Sequence, residues 1–371
     1  MPLKSLLRLA FLMLWAPLMG PAAAQHEGQE HGHAAGAAAH HDQAAKGFDA
    51  GELIMSHIGD EHGWHLWGHT TLPLPVILYD TQRGLKVFSS ARFDHGHASY
   101  DGYALVDHKV VAVADDKAGG GAPFTVDEAA TKRIWDLSIT KNVLTLFISC
   151  ALLLWIFTGV AKAYNRRSGQ APSGLQSLLE PIILFVRDDV AKSAIGEKHY
   201  ERFLPYLLTA FFFIFLNNLL GLVPFFPGGA NLTGNIAVTL VLAVLTFIIV
   251  TANGNKHYWH HILAMPGVPG WVLAILTPVE VLGMFLKPFV LMIRLFANIT
   301  AGHIIALSFF SLIFVFGETS AGAGYGVAIG SWAFTVFMMC LELLVAFIQA
   351  YVFTFLSAMY IGAAVEEPHH H

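Results

Sequence analysis

From residue 142 onward the apolar residues gather into runs long enough to cross a membrane, whereas before that point only Leu9 to Met19 exceeds the length of a strand. Asn142 to Ala161 is one uncharged span. Phe203 to Phe225 and Asn235 to Asn253 are two more, and Pro227-Gly228-Gly229 supplies a turn between them, so they read as a helical hairpin. The last two stretches are too long for simple spans. Val268 to Phe316 makes roughly 75 Å of helix at 1.5 Å per residue, against a hydrocarbon core of about 30 Å, so it must bend or tilt. Pro278 and Pro288 are its candidate break points. Val327 to Val365 has no proline and makes roughly 58 Å, which needs a tilt of about 60°. A Gly-rich loop from Gly317 to Gly326 is expected between the two.

The intervals between runs set the orientation. Lys162, Arg166, Arg167, Arg187, Lys192, Lys198 and Arg202 follow the first span, and such a basic stretch belongs on the cytoplasmic side. Within it, Leu178, Ile182, Ile183, Phe185 and Val186 interleave with Glu180, Arg187 and Asp188, a pattern suited to a helix lying on the membrane surface. The predicted fold class is an all-α polytopic membrane protein. It has helices at about 142–163, 203–225, 235–253, 268–316 and 327–365, a surface helix at 175–193, and a tail at 367–371. The membrane domain as a whole is placed at 136–366.

Ahead of it, Lys4 and Arg8, the apolar Leu9 to Met19 and the small residues Ala22-Ala23-Ala24 read as a signal peptide over 1–24. With the signal cleaved, the N-terminal segment lies in the periplasm and the C-terminus in the cytoplasm of a bacterial inner membrane. Residues 25–135 are polar, acidic and rich in histidine, including His26, His31, His33, His40 and His41. No fixed ligand spacing appears among them, so a solvated, partly disordered segment is the better reading than a zinc site. Within it Leu74 to Tyr79 and Leu85 to Phe88 are β-like runs around Gln82-Arg83-Gly84.

Composition agrees with this division: 55% of the 371 residues are hydrophobic and only 13% charged, more apolar surface than one soluble core hides. The net charge of −5 and the lack of a basic tract give no sign of nucleic acid as a partner. Cys150 and Cys340 both fall in apolar runs and are expected to be small buried thiols, not a disulfide. No phosphate-binding loop of the form G-x-x-x-x-G-K-[ST] occurs, and no cofactor is implied.

Chemistry is to be sought among the few ionisable groups inside the apolar runs, because a charge at mid-membrane costs about 2.5 kcal/mol or more unless partnered or wet. Glu280, Lys287 and Arg294 recur every seven residues and share one helix face, while His303 falls close to the opposite one. The other long helix carries one acid, Glu342, with Gln349 nearly in line. Arg294 alone is equally well read as a structural arginine paired with a carboxylate or helix carbonyls. Its neighbours favour a functional role: Asn298 lies one turn away, and Ala297 and Ala301 make a strip that admits a close helix.

At these residues the chain resembles subunit a of F-type ATP synthases. The run Pro288-Phe-Val-Leu-Met-Ile-Arg294-Leu-Phe-Ala-Asn298-Ile-Thr-Ala-Gly302-His303 carries the likeness, with Glu342 and Gln349 as its companion on the last helix. Asn217-Asn218-Leu-Leu-Gly221-Leu-Val-Pro224 and Asn235-Ile-Ala-Val-Thr239-Leu match the family's earlier hairpin. By resemblance Arg294 is the stator arginine, Asn298 and Gln349 are its polar neighbours, His303 pairs with Glu342, and Glu280 and Asn235 line two access paths. The long exported N-terminal segment departs from many members.

The resemblance implies two offset aqueous half-channels that deliver protons to, and collect them from, carboxyl groups on a rotor ring of subunit c. The long hairpin would face that ring, and Arg294 would stand between the half-channels. Peripheral stalk subunit b, the other ATP synthase subunits and membrane lipid are the further partners implied. The chain itself would be no enzyme; nucleotide chemistry would belong to other subunits. A self-contained secondary transporter is the competing reading, but such proteins often show internal repeats, and none is found here.

Overall fold

The computed structural model describes residues 59–67, 70–114, 124–166, 170–223, 228–265 and 268–366, together with Gly51, Ile54 and Phe226. The signal at 1–24, the histidine-rich stretch from 25 to about 50, Pro227 of the expected turn and the tail at 367–371 lie outside the described residues.

The described residues between 63 and 136 build seven short strands. Strands β1 (Gly63–Trp67) and β2 (Thr70–Pro73) form one antiparallel pair. Strands β3 (Pro75–Asp80), β4 (Gly84–Ser89) and β7 (Ile134–Asp136) form a sheet in the order β4-β3-β7. Strands β5 (Tyr103–Val106) and β6 (Lys109–Ala112) pair separately. The β3–β4 hairpin is where the alternating runs predicted a folded element, and its turn has a local cause. Asp80 Oδ1 accepts the Gln82 N–H at 2.8 Å, and Gly84 takes the left-handed φ of 76° that closes the hairpin. Val76, Leu78, Phe93, Tyr103 and Val110 form its core. The segment therefore holds more ordered structure than its polar composition predicts, because a few alternating apolar positions suffice for a small sheet.

Two contacts fix this sheet element to the membrane helices. Asp60 stands at the start of α1 (Lys141–Arg166), where it accepts the Thr140 hydroxyl at 2.9 Å and the Asn142 N–H at 3.1 Å. The second bond satisfies a backbone N–H that a helix N-terminus otherwise leaves unpaired. The Trp64 ring meets Phe226 edge-on at 5.2 Å, in the connection between the next two spans.

Among the described residues five helices are long and apolar enough to cross a membrane, as the hydropathy predicts. They are α1, α3 (Tyr200–Leu222), α4 (Ile236–Asn253), α6 (Gly270–Thr319) and α7 (Ala321–Val365). Between α1 and α3, α2 runs from Leu175 to Ile195 through a π-helical stretch at Val186–Lys192. It is more than a surface helix: Val186, Val190, Ala191 and Ile195 are buried in the core shared with α3 and α7. Its approach to α7 is so close that a Cβ on Gly362 would overlap the Ala194 carbonyl. A short helix that the apolar pattern does not predict, α5 (Lys256–Leu263), follows α4.

Three expectations are corrected. Helix α6 runs unbroken through Pro278 and Pro288, so neither is a break; lost backbone bonds are tolerated in membrane helices that neighbours support, and tilt remains the means of fitting fifty residues into the bilayer. The expected loop at 317–326 is almost wholly helical, with only Ser320 extended (φ −166°, ψ 149°) between α6 and α7. In hydrocarbon each backbone group must find its bond within the segment, which holds even glycines in helix. Cys150 and Cys340 are free, but both lie exposed on the helix surfaces instead of buried. The strip Ala346, Ala350, Thr354, Ser357, Ala358 and Ala364 is the buried side of α7, the small-residue face by which membrane helices approach closely.

Candidate functional site

Leu291, Leu295 and Ile299, four residues apart, are the buried stripe that seats α6 on the bundle. Arg294 therefore falls on the open side of the helix, exposed together with Ile293, Ala297 and Ala301. It makes no hydrogen bond or ion pair among the described residues. Lys287, two turns earlier, lies over the ring of Tyr360 on α7 at 5.7 Å, a cation–π contact. A guanidinium stays protonated, so Arg294 on an apolar open face calls for a carboxylate or water from beyond the chain.

One turn past Arg294 the two long helices are tied together. The Asn298 side-chain amide donates to Gln349 Oε1 at 2.9 Å, and Gln349 is only 3% exposed. The two residues expected as polar neighbours of the arginine thus bond to each other, and neither bonds to Arg294 among the described residues.

Beyond this bond opens a cleft of about 160 Å³ whose polar lining includes Asn218, Asn298, His303 and Glu342. His303 Nδ1 lies 3.7 Å from Glu342 Oε1, both side chains 12% exposed, so the pair expected from sequence does meet. Two glycines make room for it. A Cβ on Gly302 would lie 2.9 Å from Glu342 Oε1, and one on Gly221 3.5 Å from His303 Nε2. Behind the pair Asn218 joins three elements: its amide donates to the Ala346 carbonyl at 3.2 Å, and Thr233 donates to its Oδ1 at 2.6 Å. Asn218 and Thr233 were not singled out as site residues by the sequence reading. The signal was present at Asn218, a buried amide within an otherwise apolar span.

The remaining two candidates stand apart from the cleft. Asn235 is the N-cap of α4, accepting the Ala237 N–H at 2.9 Å, while its neighbour Gly234 accepts a long bond from Thr300 of α6 at 3.4 Å. Glu280 is half-buried on α6, fourteen residues or roughly 21 Å of helix before Arg294. The ionisable groups are thereby spread along α6, with Glu280 toward the start of the helix, Arg294 near its middle and His303 beyond.

The family described as ATP synthase A chain matches residues 143–362, and a domain of unknown function matches residues 53–137. ATP synthase subunit a of Chloroherpeton thalassium is 46% identical over 242 residues, 64% of this chain and 69% of that protein. ATP synthase subunit a 2 of Prosthecochloris aestuarii is 46% identical over 243 residues, covering 64% and 71%. ATP synthase subunit a of Myxococcus xanthus is 43% identical over 246 residues, covering 64% and 76%. A family match that spans more than half of the sequence, and includes α6, α7 as far as residue 362 and every polar residue of the cleft, shows that this chain belongs to the ATP synthase subunit a family.

Proposed function

We propose that the chain is the proton-translocating stator subunit of its ATP synthase, working against carboxyl groups on a rotor ring of subunit c. The observation that carries this is Arg294, a permanent cation exposed without a bonded partner on the open face of the α6–α7 hairpin, with acidic groups on α6 and α7 to either side. A proton arriving past Asn235 and then through the cleft of His303 and Glu342 neutralises a rotor carboxylate, which can then turn into lipid without the cost of a bare charge. After a revolution it leaves toward Glu280. Arg294 attracts the deprotonated carboxylate and, by its fixed charge, bars a direct path for protons between the two sides. Asn298 and Gln349 hold the hairpin in register beside it.

In this reading the N-terminal segment is periplasmic after removal of a signal at 1–24, the basic connection around α2 and the C-terminus are cytoplasmic, and subunit b of the peripheral stalk and the remaining synthase subunits are partners. The chain binds no nucleotide. The reading as a self-contained transporter gives way to the family membership.

Arg294→Ala tests the assignment. It should abolish proton-driven ATP synthesis while the complex still assembles, with passive proton leak increased. Inverted vesicles that keep coupled pumping after this change would overturn the role.

A further inference from the structure

The β4-β3-β7 sheet carries apolar side chains on both faces. Val76 and Leu78 point into the small core, as the buried face of a sheet should. The opposite face carries Ile77, Tyr79, Leu85, Val87, Trp135 and Leu137, where an antiparallel sheet open to water normally presents polar residues. These six are neighbours in register. Tyr79 is opposite both Leu85 and Trp135, Ile77 is opposite Val87, and Leu137 donates its N–H to the Ile77 carbonyl at 2.9 Å. The face is open, with Trp135 66%, Leu85 63% and Val87 62% exposed. An uncovered apolar patch of this kind marks an interaction surface.

The chain itself indicates what covers it. Strand β7 ends at Asp136 and α1 begins at Lys141, so the four residues between hold the sheet within roughly 18 Å of the membrane helix that continues from it. The Asp60 bonds to Thr140 and Asn142 shorten that tether into a clamp, and the Trp64–Phe226 contact fixes the element a second time, to the connection between α3 and α4. Helix α1 makes roughly 39 Å at 1.5 Å per residue, more than the hydrocarbon core, so its first turns reach the headgroup layer. Helix α1, with Phe147, Leu154 and Trp155 exposed, follows Trp135 and Leu137 directly along the chain. Tyr and Trp beside aliphatic residues are also the side chains that settle at a membrane–water boundary.

We infer that the outer face of this sheet lies on the bilayer surface at the end where α1 begins, a lipid-binding face that seats the N-terminal element flat on the membrane beside the α3–α4 connection. Spin labels on the assembled complex in phosphatidylcholine vesicles test this, with Cys150 and Cys340 first replaced by Ala. Labels at Val87→Cys and, independently, Leu85→Cys should relax more strongly with oxygen, which concentrates in lipid, than with a water-soluble nickel chelate present on both sides. A label at Lys109→Cys, on an exposed position of β6, should show the reverse. The inference is overturned if the nickel chelate dominates at 85 and 87, which means an open face, or if both reagents are excluded there, which means a protein cover such as another subunit or a second copy.

Discussion

Asn298 and Gln349 meet through a single hydrogen bond of 2.9 Å that joins α6 to α7 one turn beyond Arg294. It is the described side-chain bond between the two long helices nearest the arginine, and Gln349 is buried while Arg294 is open. Removing either partner leaves the other amide in apolar surroundings, a loss of about 0.6 to 2 kcal/mol for interhelical bonds of this type.

Asn298→Ala and Gln349→Ala should each lower ATP-driven proton pumping several-fold. Because both remove one interaction, the double variant should be little worse than the more severe single change. Pumping measured in inverted vesicles decides this; strictly multiplicative losses would mean that the two side chains act separately.

Space around Glu342 yields a second expectation. The Cβ of Gly302→Ala would stand 2.9 Å from Glu342 Oε1 and displace the carboxylate, and Gly302→Val would also fill the cleft. Pumping should fall in that order, to a tenth or less with Val. Gly221→Ala, whose Cβ would make an ordinary 3.5 Å contact with His303, should be mild. A Gly221→Ala variant more damaged than Gly302→Val contradicts the packing described.

The membrane spans were legible because an uncharged run of twenty residues admits few alternatives. Arg294, Glu342 and Gln349 were legible for a related reason: polar groups are so costly in such runs that each one calls for an explanation. What escaped depended on partners far apart in sequence. Asn218 gains its role from Thr233 and Ala346, and no periodicity links those three positions. Pro278 and Pro288 predict breaks by local rules, yet packing and the need to keep backbone bonds in lipid hold α6 together. The glycines at 317 and 326 are likewise helical where composition predicts a loop. The small sheet was visible only as its first hairpin, since β7 joins β3 from more than fifty residues away.

Asp136 gives the sheet element a pH dependence. Burial alone raises its carboxyl pKa, but the bonds from His62 at 3.1 Å and from the Ser138 side chain and N–H outweigh this and hold it below the ordinary 3.8. A carboxylate with a lowered folded pKa contributes stability that is fully present above the unfolded value and is lost as pH falls through the lower folded one. Hydrogen exchange at the β7–α1 junction should therefore be slow from pH 7 to about 5 and accelerate, after correction for intrinsic rates, as pH falls below about 4. Asp136→Asn should open the junction already at neutral pH and flatten the acid response. An unchanged pH profile in that variant would remove Asp136 as the cause.

The last expectation concerns His303 and Glu342, which face each other at 3.7 Å across the cleft between α6 and α7. From that distance a small rotation of either side chain brings the imidazole and the carboxylate into hydrogen-bond range, where a proton can pass between them. His303→Glu alone would set two acids in one poorly hydrated site, where their like charges repel and disturb proton delivery to the rotor. Glu342→His alone removes the acid and can leave two cations there. Each single change should cut pumping about tenfold or more. If the two positions act as one unit, the exchanged double variant restores one acid and one imidazole to the same cleft and should recover more activity than either single change, because their effects are coupled and not additive. Gly302 and Gly221, which leave room on either side of the pair, would stay as they are, so the exchange tests chemistry more than packing. Proton pumping by the three variants in inverted vesicles reads this out, and a double variant no better than its worse parent would show that the pair does not work as a relay.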